Sequence, residues 1–174
     1  MKILTDKEIL NIPEKDLPLL VLSFNSRNIL STLINIRKRS NYNHFMLYHR
    51  PGFFAAQGLI FKEFPVTNYL THHRLKFWHN PDWSALDKVK MQSKIKRWLM
   101  LGKFKSRYDL VGLIGQLFGV KSLQNPYTKI CSDYIDLLKE VDSEYKLKYP
   151  APNDVNAWLK DHSRYQVYGR YIRD

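Results

Sequence analysis

Cys131 is the only cysteine of the chain, and it stands where a helix should begin. The segment Lys129-Ile130-Cys131-Ser132-Asp133-Tyr134-Ile135-Asp136-Leu137-Leu138 follows the turn-prone Gln124-Asn125-Pro126. Ile130, Tyr134, Ile135, Leu137, Leu138 and Val141 recur at roughly helical spacing, which predicts an amphipathic helix to about Lys146. A thiol in the first turn of a helix sits at the positive end of the macrodipole, and this favours the thiolate. Thiolates are the nucleophiles of covalent acyl transfer. A buried cysteine that only fills space is the competing reading.

Acyl transfer by a thiolate needs a base within hydrogen-bond reach, and histidine is the usual one. Six histidines are available. His72, His73 and His79 fall at expected strand ends or turns, His49 is next to a turn, and His162 lies in a polar segment. His44 differs, because it opens the apolar strand His44-Phe45-Met46-Leu47-Tyr48 after the polar turn Ser40-Asn41-Tyr42-Asn43. Its ring is expected at a sheet edge where a cleft can form. The chemistry then depends on two side chains 87 positions apart meeting where a helix begins beside a sheet.

The elements that must bring them together divide the chain into two textures. Thr5-Asp6-Lys7-Glu8 predicts a capped leading helix that Pro13 ends. Leu17 to Phe24 is a compact apolar run, expected as a buried strand, and Ser26 caps an expected helix to about Lys38. Pro51-Gly52 predicts a tight turn between the His44 strand and Phe53 to Gln57. Phe53 to Gln57 and Leu59 to Phe64 read as two strands joined near Gly58 or as one strand bent there, and Arg74 to His79 completes a small antiparallel sheet. From Asp82 the spacing becomes helical, with Trp83, Leu86, Val89, Ile95, Trp98 and Leu99 as the expected buried stripe up to Met100. Asp109 to Phe118, the Cys131 segment and a short helix capped by Asn153 follow, and the basic, aromatic tail from Tyr165 reads as a last strand. The fold class is α+β, in one domain.

Composition narrows the partners. The chain has 174 residues, 44% of them apolar, enough for a real core. One cysteine excludes an internal disulfide framework and a multi-cysteine zinc site. The start, Met1 to Asp6, lacks the long apolar run of a signal peptide, and no stretch is long enough to span a bilayer, so cytoplasmic synthesis is expected. The net charge of +12 points to an anionic partner or surface. It is spread over clusters at Arg37 to Arg39, Lys88 to Arg97 and Lys103 to Arg107, which fit solvated faces. Basic and aromatic residues do not interleave in one motif, and no helix-turn-helix, RNA-recognition or zinc pattern is present, so no specific nucleic-acid partner is expected.

The order histidine-then-cysteine carries a resemblance. Asn43-His44-Phe45-Met46-Leu47 is similar to the Ser-His-Val-Gly-Ile strand of the circularly permuted papain-like family, the NlpC-type amidases. YiiX-like proteins and the lecithin retinol acyltransferase relatives share that layout. Ile130 to Ile135 resembles the family's Cys-Ser-Glu-Leu-Val, and Tyr149 to Val155 resembles the segment that follows it. Leu19 to Leu22 with Ser26 to Ile36, Ala55 to Leu59, and Lys105 to Asp109 with Leu113 to Gly115 resemble other family pieces, in the same order over roughly residues 17 to 160.

The resemblance implies a permuted papain-like fold over residues 1–174, with 1–16 a leading segment and 161–174 the basic tail. It implies Cys131 as nucleophile, His44 as general base and acid, and Gln57 as the residue that orients His44, with Glu63 as the alternative. The backbone N–H of Cys131 would contribute to an oxyanion hole, and Tyr42 or Tyr108 are candidates for the second donor. The implied reaction cleaves an amide through a thioester, without metal or organic cofactor, with peptidoglycan stem peptides in an anionic cell wall as the foremost substrate. A virion-carried enzyme is one route to that substrate without a signal peptide. The alternatives are an acyl-lipid hydrolase or acyltransferase, and a virion or assembly scaffold of the same fold without chemistry.

Overall fold

The computed structural model describes residues 2–25, 42, 44–57, 61–71, 73–102, 131–147, 150 and 152–172, without the side chains of Asn25, Gln57 and Cys131 to Asp133. The expected helices at Ser26 to Lys38 and Asp109 to Phe118, and with them Tyr108, lie outside these residues.

Six strands form one antiparallel sheet. They are β1 (Leu19–Asn25), β2 (His44–Arg50), β3 (Phe53–Gln57), β4 (Phe61–Pro65), β5 (His73–His79) and β6 (Gln166–Tyr171). Their order is β4-β3-β2-β1-β5-β6, so β1 lies inside the sheet between β2 and β5. Burial on both faces explains why its sequence is a continuous apolar run and not an alternating one. Leu20 and Leu22 join a core on one face, with Phe45, Leu47, Ala55, Phe61 and Trp78. Leu19 and Val21 join a core on the other, with Met46, Tyr48, Phe54, Ala56 and Phe77.

Different parts of the chain cover the two faces. The leading segment covers one, through Leu4, Ile9, Ile12 and Leu17. Its helix α1 (Asp6–Leu10) has the expected capping box: the Thr5 side chain accepts from the Glu8 N–H, and the Glu8 carboxylate accepts from the Thr5 N–H. Residues 2 to 4 then run along β6, where the Leu4 N–H donates to the Arg170 carbonyl at 2.7 Å. The other face carries α2 (Ala85–Gly102), the helix Cys131–Glu140 and α3 (Pro152–Asp161).

Pro51-Gly52 makes the expected turn, with Gly52 at φ 77°. Three helical expectations need correction. The Cys131 helix is a 3-10 helix that ends at Glu140, not Lys146. The following Asp142 accepts from the Glu144 N–H and the Tyr165 hydroxyl, and this fixes a turn where helical spacing seemed to continue. The last helix starts at Pro152, so Asn153 lies inside it. In α2 the buried residues are Met91 and Ile95, whereas Leu86 and Val89 are exposed, because only one edge of that helix meets the core. No helix among the described residues is long and apolar enough to cross a membrane.

Candidate functional site

Strand pairing assembles the residues around His44. Ser23 on β1 is the direct partner of His44 on β2, and β5 begins on the other side of β1 with His73 opposite Asn25. Ser23 follows Leu19 and Val21 in alternation and points to their face of the sheet. Its Oγ lies 2.8 Å from Nδ1 of His73. Ser23 is fully buried and sits between two imidazoles. Tyr69 packs its ring 4.7 Å from that of His73.

This setting keeps His44 neutral. Burial, and then the nearby His73, push its pKa down to about 4. At neutral pH the ring is therefore in the form that can accept a proton. With its pKa so low it does not hold a proton at rest, and a thiolate beside it would have to offset the burial.

The Cys131–Glu140 helix packs against β2 from the opposite face. Tyr134, Ile135, Leu137 and Leu138 join Phe45 and Leu47 in one core. Tyr134 stacks on Phe61, rings 4.0 Å apart. Phe61 opens β4 and pairs with Gln57, the last residue of β3. At the far end of the helix, Asp142 accepts from Tyr165, next to the start of β6 at the other end of the sheet. The helix thus begins at the sheet end where β2 starts with His44 and β3 ends with Gln57.

The sequence-derived residues are accordingly gathered at one end of the sheet but not on one face of it. His44 alternates with Met46 and Tyr48, away from the face that carries the Cys131 helix. The Cys131 thiol and the Gln57 amide lie outside the described side chains. Tyr42 is half-buried against the helical core, and burial raises its pKa, with Arg170 opposing.

Glu63 is committed elsewhere. Both of its oxygens are held by Arg50, with Nε at 2.8 Å and an Nη at 2.9 Å. Nε2 of the buried His49 stands 2.9 Å from Glu63 Oε1, within ion-pair range but off the axis of a hydrogen bond. Burial lowers the His49 pKa, and Glu63 opposes that. The β2–β3 register shifts between Tyr48 and Arg50, which lets two consecutive residues reach one carboxylate. Arg50 holds Glu63 below the usual carboxylate range.

Sequence reasoning missed Ser23 and His73. Nothing local marks Ser23, and His73 reads as one of a histidine pair in a turn. Only the β1–β2 and β1–β5 registers bring them to His44. No protein-family model and no curated protein matches the chain.

Proposed function

We propose that the protein is a cysteine hydrolase of the permuted papain-like kind, cleaving an amide bond through a thioester on Cys131. One observation carries the reading: a helix headed by the only cysteine lies along β2 and starts at the sheet end where β2 begins with His44. The order is histidine before cysteine, and because His44 is the first residue of β2 and alternates to the face away from that helix, the chemistry requires its ring to reach Cys131 around the end of the sheet. His44 takes the proton of the Cys131 thiol as the sulfur attacks the carbonyl, and the oxyanion collapses to a thioester as His44 passes that proton to the leaving amine. Water activated by His44 then releases the acid. Peptidoglycan stem peptides remain the foremost substrate class, since a charge of +12 favours an anionic wall.

A scaffold of the same fold, without chemistry, is the second reading. It is favoured by the packing of His44 with Ser23 and His73 on the face away from the Cys131 helix.

Iodoacetamide labelling at neutral pH, combined with a muropeptide digest, separates the two. The hydrolase reading expects rapid labelling of Cys131, slowed at least tenfold in His44→Ala, and fragments that disappear in Cys131→Ala. Labelling at the rate of a buried thiol, indifferent to His44 and without digestion, leaves the scaffold.

A further inference from the structure

Lys76 is placed where a lysine is rarely found. It lies in the middle of β5 and is 3% exposed. Its Nζ donates to Asn156 Oδ1 at 3.2 Å and lies 4.0 Å from the Trp78 ring centre. Among the described residues no carboxylate pairs with it, and the charges it feels are those of Arg170 and Lys160. Its direct partner across the β5–β6 ladder is Arg170, a like charge where a sheet ordinarily places an opposite or apolar one. The Nε of Arg170 is buried without a hydrogen-bond partner. Beside these residues opens a cleft of about 440 Å³, where Arg74, Lys76, Lys160 and Arg170 meet Phe24 and Tyr42. Among the described residues no carboxylate lines it.

Four cations converging on one cleft, two of them with buried nitrogens, repel one another unless an anion completes the arrangement. Two guanidinium groups match the oxygens of a phosphate, two ammonium groups add point charge, and the aromatic wall suits an apolar body. We propose that this cleft is a binding site for a phosphate monoester carried on an aromatic or apolar group. The cleft shares Tyr42 with the oxyanion-hole candidates, but its four cations have no part in the chemistry assigned to Cys131 and His44, and the proposal does not depend on that chemistry.

The test is calorimetric titration of the full chain with phenyl phosphate, with inorganic phosphate and benzoate as the arms lacking the body and the second charge. The proposal expects saturable one-to-one binding of phenyl phosphate, at least tenfold tighter than either other arm. Lys76→Met and the surface change Lys160→Met each weaken it tenfold or more, whereas Lys96→Met, in a different cleft, leaves it unchanged. Burial, reinforced by Arg170 and Lys160, lowers the Lys76 pKa to about 8. Binding therefore takes up a proton near pH 8 and weakens above it. Absence of saturation, equal binding of benzoate, or equal weakening by Lys96→Met overturns the proposal in favour of diffuse attraction to net charge.

Discussion

Ser23 Oγ and His73 Nδ1 lie 2.8 Å apart although the residues are 50 positions apart in the chain. The bond crosses from β1 to β5 and holds His73 beside His44. Ser23→Ala removes it from a buried site and is expected to cost about 1 kcal/mol. Urea unfolding at pH 7 measures the loss. The His73 ring resonances should shift in the same variant.

His44 makes stability depend on pH. Above pH 6.5 its ring is neutral in folded and unfolded chains alike, and burial carries no protonation penalty. As pH falls below that, the unfolded chain takes up a proton that the folded ring resists down to about 4. Stability therefore declines between about pH 6.5 and 4 and the decline from this group ends there. Since His44 as a residue keeps some exposure, the loss expected is about 2 kcal/mol. His44→Gln should flatten that part of the curve; an unchanged slope would remove His44 as its cause.

Phe61 ties β4 to the Cys131 helix through its stack on Tyr134 and an edge contact with Trp98. Phe61→Ala opens a cavity in the core and should cost about 3 to 5 kcal/mol, and Phe61→Leu markedly less. Amide exchange at 134–138 should accelerate more than exchange in β1. Uniform acceleration would show that Phe61 supports the whole sheet and not this helix in particular.

Gly169 leaves no room for a side chain. A Cβ there would stand 2.6 Å from Cγ of Leu4. Gly169→Ala should destabilise by about 1 to 3 kcal/mol, as overpacked cores do. Because the obstacle is one side chain, Gly169→Ala combined with Leu4→Ala should cost less than the two separate losses added. Strict additivity in a double-mutant cycle would place the strain elsewhere.

Nearest-neighbour chemistry alone determined much of this protein. The capping box of Thr5 and Glu8, the turn at Pro51-Gly52, the apolar run of β1 and the strand at Gln166–Tyr171 depend on residues within a few positions of one another. The α+β class followed from those elements. The tertiary structure alone decided the faces and the partners. Period-two alternation says that His44 and Phe45 point to opposite faces, but not which face the Cys131 helix covers. Strand order puts β1 between His44 and His73, and register gives Glu63 to Arg50 and sets Lys76 opposite Arg170. Helical spacing likewise marked Leu86 and Val89 as core without showing how little of α2 meets the sheet. Such pairings bring together residues far apart along the chain, and the free energy that selects them belongs to the assembled sheet and its two cores rather than to any short segment.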